Sequence, residues 1–298
     1  VGDAGSIILN RKKQMIAIIT DSTCDIPDAL IKQYDIIVIP QMVIWGEQQL
    51  CDRIDLQPAQ FYERLMTEYE PPHSSLPNVM DIRKAFHDAL ERGATQVIVL
   101  TVSSTMSGTY NLVQNVARGV NIPVSMVDSK GPTMSLGWQV LAAARAREAG
   151  ADLPAILEQV KQVREKLAQF VAMDSLEYLQ RGVRIGGAVK WVGSLLNIKP
   201  LVSINHHTGL VEPASLARTN KGLVELLYHK FFEKLKGGRN LRIAVLHGNA
   251  VKEAKALADR IQADYKPLEL LINITRPVLG INTGPGALAL CGYVEEYI

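Results

Sequence analysis

The sequence contains no apolar run of the ~18 residues from which a membrane-crossing helix is built. An early apolar stretch, Ile16-Ala17-Ile18-Ile19, follows Lys12 and Lys13 as the core of a signal peptide would, but Thr20-Asp21-Ser22 ends it at once. It reads instead as a first β-strand, with residues 1–14 as a tail and Met15 as an alternative start. Cysteine is scarce: Cys24, Cys51 and Cys291 form no CxxC pair and are odd in number, which argues against a disulfide framework and a thiolate zinc site. Free thiols in a reducing cytoplasm are expected, and only Cys24, in the loop after the first strand, is placed to act as a nucleophile.

Charge of one sign is missing too. The 32 Lys and Arg residues against 30 Asp and Glu leave a net +2, too little to draw nucleic acid or an anionic membrane. The basic run Arg11-Lys12-Lys13 is too short for a nucleic-acid footprint. There is no GxxxxGK[ST], no GxGxxG after a strand and no GxSxG elbow. None of the six histidines belongs to an HExxH pattern, so no metal site is expected. His206-His207 falls in a predicted turn and reads as solvated, whereas His247 ends a predicted strand, where a site role and a structural role are both open.

What is present is 298 residues, 47% hydrophobic and 21% charged, enough for one large domain or two and for a core with an internal pocket. The first half alternates β-rich and helical runs. Ile16–Thr20, Ile36–Ile39, Val97–Val102 and Pro123–Val127 read as strands. Pro27–Tyr34, Pro58–Thr67, Val79–Arg92, Ser107–Arg118 and Met134–Ala149 read as helices, with Gly93 and Gly150 at C′ positions. Such alternation predicts a mostly parallel sheet with helices on both faces. After a helix over Leu153–Ala168 the pattern changes. Ile198–Ile204 and Leu210–Leu216 flank a hairpin-like turn ending in Gly209, Arg242–Leu246 is a strand followed by a helix through Ile261, and Leu268–Ile274 alternates. The division is therefore residues 15–168 and 169–298, the second an α/β unit with antiparallel pairing. Leu195, Leu196 and Ile198 could line a tunnel or fill a core.

Hydroxyl residues gather where the first-half strands end. Asp21-Ser22-Thr23, the run Ser103-Ser104-Thr105-Met106-Ser107-Gly108-Thr109, and Asp128-Ser129-Lys130-Gly131 each follow a strand. In an open parallel sheet, ligands bind beyond the carboxyl ends of the strands. A helix opening near Ser107 would aim free N–H groups at that shelf, so a carboxylate or phosphate is the expected guest. Ser and Thr also cap helices and form turns, and pattern alone does not separate the two roles.

These loops resemble the DegV family of bacterial lipid-binding proteins. Asp21-Ser22 resembles its opening Asp-Ser, Ser74-Ser75-Leu76-Pro77-Asn78 its TSQPS motif, and Ser103 to Tyr110 its SSxLSGTY motif. Asp128-Ser129 with Ser135-Leu136-Gly137 is similar to its DS…SxG segment, Leu176 to Ile185 to LEYLxxGGRI, Ile198-Lys199-Pro200 to IKP, and Thr283-Gly284-Pro285-Gly286 to the end of HTGPG. The resemblance spans about residues 15 to 293, with the motifs in family order. It implies a two-domain DegV-like α/β fold: an N-terminal Rossmann-like parallel sheet with helices on both faces, then a C-terminal α/β domain with a mostly antiparallel sheet. It implies a long-chain fatty acid in a tunnel, presented to a fatty acid kinase whose acyl phosphate product feeds phospholipid synthesis. No catalytic residue and no cofactor are implied. Carried over, Ser104 and Ser103 would hold the carboxylate with Ser74, Arg218, Asn282 and Thr283. Asp21, Ser22, Ser107, Gly108, Asp128, Ser129 and Gly284 would form the supporting loops. Asn282 stands where the family commonly has His, and can hydrogen-bond but not carry a proton charge. The competing reading is an enzyme using the serine-rich loop, an acyl hydrolase with His247 as a distant base or a small-molecule phosphotransferase. A lipid-responsive sensor is a third.

Overall fold

Ile16 to Ile19 carries an apolar side chain at every position, as a strand covered on both faces must. In the computed structural model, which describes residues 15–191 and 198–296, strand β1 (Ile16–Asp21) is buried throughout. Leu195, Leu196 and the tail 1–14 lie outside the described residues. After α1 (Asp28–Gln33), β2 (Ile37–Ile39) pairs parallel to β1. The chain then builds a small antiparallel sheet that the sequence pattern does not predict. It consists of β3 (Met42–Trp45), β4 (Gln48–Cys51) and, beyond α2 (Pro58–Thr67), β5 (His73–Ser75), in the order β4-β3-β5.

Helix α3 (Val79–Glu91) is capped by Asn78, whose side chain accepts from Met80 N–H at 2.9 Å. Strands β6 (Gln96–Thr101) and β7 (Val124–Asp128), separated by α4 (Thr109–Ala117), complete a parallel sheet in the order β2-β1-β6-β7. Helix α5 (Met134–Glu148) is unusual. Every residue from Met134 to Ala144 is buried, because α5 lies between this sheet and the next and has no wet face along that length. Helix α6 (Leu153–Lys166) is capped by Asp152.

The second sheet starts at Ala168, a position that the sequence pattern assigns to the end of a helix. Its strands are β8 (Ala168–Ala172), β9 (Lys199–Asn205), β10 (Leu210–Ala217), β11 (Leu241–His247), β12 (Glu269–Ile274) and β13 (Leu288–Val294). Their order is β10-β9-β8-β13-β11-β12, with every pair antiparallel except β11–β12. Helices α7 (Glu177–Arg181), α8 (Asn220–Lys234), α9 (Val251–Tyr265) and α10 (Pro277–Thr283) complete the elements. The fold is thus α/β, a parallel sheet with helices beside a mostly antiparallel one, and β9–β10 is the expected hairpin.

Period-two alternation sorts the second sheet's faces. Ala168, Phe170 and Ala172 pack with Leu227, Phe231 and Leu257 of α8 and α9. Val171 and Met173 face the other way, into a core shared with Trp138 of α5, Val160 of α6 and Ile18 and Leu100 of the first sheet. One apolar layer therefore joins both sheets, and the carboxyl edge of the first opens against the inner face of the second.

Candidate functional site

A cavity of about 300 Å³ occupies that junction. Its apolar body comes from the second sheet, with Val171 and Met173 on β8, Val202 and Ile204 on β9 and Val211 on β10. Register places Val171 beside Val202 and Ile204 beside Val211, so these side chains form a continuous wall. Leu179 from α7 and Val278 and Leu279 from α10 complete it.

Polar groups gather at one end. The carboxylate of Asp21, at the end of β1, accepts from Thr23 N–H (3.0 Å), Thr23 Oγ1 (2.5 Å) and Val102 N–H (2.7 Å), tying the β1 loop to the β6 loop. Burial raises the Asp21 pKa, against the lowering effect of those bonds. Thr23 and Val102 reach the cavity. Beside them runs a hydrogen-bonded relay. Ser22 Oγ donates to Asp52 (2.7 Å), Gln41 N–H donates to Ser22 Oγ (3.1 Å), and Gln41 Nε2 donates to Thr109 Oγ1 (2.8 Å). Thr109 Oγ1 lies 2.8 Å from Ser107 Oγ. Either hydroxyl can donate in that contact, so with Thr109 as the donor the Ser107 proton is available to a ligand in the cavity that Ser107 lines.

Three further features favour an anion there. Helix α4 is preceded by Gly108, a cavity-lining N-cap with no side chain of its own, and of the first-turn N–H groups only that of Thr109 reaches a side chain, Ser107 Oγ at 3.3 Å. Arg184 enters from the loop after α7, its guanidinium donating to the carbonyls of Met106 (3.3 Å) and Gly182, and among the described residues no carboxylate pairs with it. Ser74 of β5 and Asn282 and Thr283 of α10 line the same end. Asn282 Nδ2 donates to Val278 O (2.9 Å), which turns its buried, unpartnered Oδ1 toward Gly182, where a Cβ would collide. Gly284 holds φ at +76° against the ring of Tyr178, a position closed to any side chain.

The residues singled out from sequence divide accordingly. Ser74, Ser107, Gly108, Asn282 and Thr283 line the cavity. Ser103 is fully buried and its hydroxyl bonds Thr105 Oγ1 (2.8 Å) and Gly209 O (3.1 Å), fastening the loop to the β9–β10 turn. The Ser104 hydroxyl and N–H both go to Asp128. Burial raises the Asp128 pKa, but hydrogen bonds from Lys130 and Ser104 outweigh it and leave the net shift downward. Ser129 bonds Gly131 O at 2.8 Å, Asp21 and Ser22 stand behind the wall, and Arg218 is exposed away from the cavity. His247 is off the cavity, its Nδ1 accepting from Ala250 N–H at 3.2 Å. His206 is buried rather than solvated: Gly131 leaves room for its ring, and Nε2 sits 2.7 Å from Ser135 Oγ. Burial depresses its pKa to about 4, so it is neutral. Thr23 comes from the first of the predicted hydroxyl loops, whereas Arg184, Gln41, Thr133 and Gln169 of the lining were not among the sequence candidates, although Arg184 stood inside a recognised motif.

A protein-family model described as "Uncharacterised protein, DegV family" is similar to residues 15–295 of this chain. A DegV domain-containing protein of Clostridium acetobutylicum is 34% identical over 282 residues, which cover 93% of this chain and 98% of the relative. A structure described as fatty acid binding of a DegV family protein from Thermus thermophilus superposes with a TM-score of 0.88 at 29% identity, over 95% of this chain and 100% of that one. The crystal structure of DegV from Bacillus subtilis, described as a fatty acid binding protein, gives a TM-score of 0.86 at 28% identity, over 95% and 100%.

Proposed function

The chain belongs to the DegV family, and from that premise we propose that its cavity binds a long-chain fatty acid and presents the carboxylate to a fatty acid kinase. The observation that carries the proposal is the cavity's polarity: an apolar body closed by two sheets, with Ser107, Arg184 and the open start of α4 at one end. Each buried methylene contributes about 0.8 kcal/mol, so the tail supplies most of the affinity. A charge-assisted bond from a hydroxyl contributes about 1.5–3 kcal/mol and orients the acid. In this reading residues 15–168 supply the head-group loops and residues 169–298 the apolar wall. Ser74, Ser107, Arg184, Asn282 and Thr283 surround the carboxylate, while Ser103 and Ser104 hold the loop that carries Ser107. Ser75, Leu76 and Gly108 are exposed at that end, which keeps the carboxylate within reach of a kinase.

A carrier role is preferred to catalysis because, among the described residues, neither Ser74 nor Ser107 is hydrogen-bonded to a histidine or carboxylate that could serve as its base. Native mass spectrometry and organic extraction of gently purified protein should reveal a bound fatty acid. A ligand-free protein that takes up neither palmitate nor oleate would refute the proposal.

A further inference from the structure

Away from the serine loops, a second buried polar cluster fastens the loop after β1 to the start of α10. Asp25 is fully buried there. Its Oδ1 accepts from Arg276 N–H at 3.1 Å and its carbonyl accepts from Asn273 Nδ2 at 2.8 Å, across 251 and 248 positions of the chain. Asp52, just past β4, is equally buried and accepts from Ser22 Oγ. The guanidiniums of Arg53 and Arg276 both meet Asp28 Oδ1, at 3.0 and 2.8 Å. Helix α10 carries Val278, Leu279, Asn282 and Thr283 to the cavity, so this cluster anchors one of its walls.

Charge does not balance in the cluster. Two guanidiniums face the three carboxyls of Asp25, Asp28 and Asp52. Asp28 is 74% exposed and hydrated, but one oxygen of Asp25 and one of Asp52 have no hydrogen-bond partner among the described residues. A buried carboxylate in that state is costly, and a retained proton restores the balance. Burial accordingly raises Asp25 to a pKa of about 7, against Arg276 and Arg53, and Asp52 to about 6. The other groups facing the pair bring no further positive charge. Cys24 stays a thiol, pushed up to about 11 by burial, and Asp21 adds a fourth carboxyl, also raised by burial. Tyr62 of α2 stays a phenol, pushed up by burial and then by Asp25. His247, whose carbonyl accepts from Thr275 N–H, is held low by burial and is neutral.

A carboxyl that loses its proton here regains hydration only if the start of α10 gives way, because Arg276 N–H lies directly on Asp25. We propose that Asp25 and Asp52 act as a proton-operated latch on α10, firm while the pair retains a proton and loosened when it is lost, so that a bound fatty acid is held under mildly acidic conditions and released under alkaline ones. The sign follows from linkage: carboxyls raised in the latched form keep their proton there on the acid side and lose it as the pH climbs, which disfavours that form. This inference rests on the fatty-acid reading above and adds the regulation of that site.

Calorimetric titration of the full chain with palmitate near pH 6 and pH 8.5 reads the latch. One linked proton changes Kd by at most about tenfold per pH unit. Asp25→Asn keeps the oxygen that accepts from Arg276 N–H but does not titrate. The rise in Kd of the wild type divided by that of the variant cancels ionisation of the acid itself, and is expected to be at least about fivefold. A smaller ratio would overturn the latch. Hydrogen exchange of the ligand-free wild type needs no variant to fold: corrected for intrinsic rates, the α10 amides should lose at least about fivefold in protection over the same interval while those of α9 do not. A smaller loss, or an equal one in α9, would also overturn it. Failure of palmitate to bind at either pH would sink the fatty-acid reading and leave the exchange measurement to decide the latch.

Discussion

Replacing Ser107 by alanine separates the head-group geometry from every neighbouring serine. Bonds among Asp52, Ser22, Gln41 and Thr109 hold Thr109 Oγ1 against Ser107 Oγ, and with Thr109 donating there the Ser107 proton is free for a ligand. Alanine removes that donor and nothing from the apolar wall. The loss is one charge-assisted bond, about 1.5–3 kcal/mol, or about a 10- to 150-fold rise in Kd. That is comparable to shortening the acid by about two to four methylenes at ~0.8 kcal/mol each. Stability should fall by about 1–2 kcal/mol, because the 2.8 Å bond to the buried Thr109 hydroxyl is lost together with the long 3.3 Å bond from Thr109 N–H. Calorimetric titration with palmitate gives the Kd, and urea unfolding monitors the fold. Thr109→Val, which cuts the relay one step back, should weaken binding less, and the double variant should fall short of the sum of the two. The geometry would be refuted if Ser107→Ala bound palmitate within about twofold of wild type while Ser104→Ala lost tenfold. That outcome would put the carboxylate on the Asp128 side of the loop.

Other perturbations read different parts of the structure. Arg184→Met should weaken fatty-acid binding about tenfold or more and flatten its dependence on salt, measured by titration at two ionic strengths; an unchanged salt slope would remove Arg184 from the head group. Val183 is 87% exposed with φ +56°, a conformation that costs an L-residue about 1–2 kcal/mol, so Val183→Gly should raise stability by about 0.5–1 kcal/mol after glycine's entropy is counted. Urea denaturation checks this, and a destabilised variant would show that the valine side chain is needed. Burial raises Asp25 to a pKa of about 7, against the neighbouring Arg276 and Arg53, with Asp52 close by and itself raised to about 6. A carboxyl raised on folding contributes stability below its unfolded pKa of ~4 and loses it as pH climbs through 7. Asn at position 25 keeps the oxygen that accepts from Arg276 N–H and tolerates the left-handed backbone at φ +47°. Asp25→Asn should therefore match wild type near pH 4 and exceed it by on the order of 2–4 kcal/mol at pH 8, and parallel pH–stability curves would contradict the burial argument.

The first sheet was legible because its strands are apolar throughout and its helices carry ordinary stop signals. The small sheet was not. The three residues of β5 are His-Ser-Ser, with no apolar alternation, and only pairing with Met42–Ile44 makes them a strand. Strand β8 was hidden because Ala168-Gln169 continues the composition of the helix before it, and burial on both faces is a tertiary property. The same distinction runs through the site. The sequence reading puts Ser103 and Ser104 on the carboxylate and Ser107 in support, but the turn closed by Met106 and Ser107 N–H groups onto Ser103 O buries the first, points the second to Asp128 and turns the third into the cavity. Arg184 could not be matched with Ser107 before the fold had set its guanidinium on the Met106 carbonyl, 78 positions away in the chain.

Helix α5 has a consequence for how the molecule is assembled. Eleven successive residues without a wet side cannot be inherited by either half of the chain alone. Severed from its companion, each fragment would expose a stripe of Leu, Val, Trp or Met to solvent, so separate expression should yield aggregates where the intact chain folds in a single transition. The same shared beam limits how far the two walls can part, and an acyl chain must thread past the polar rim while that beam stays in place.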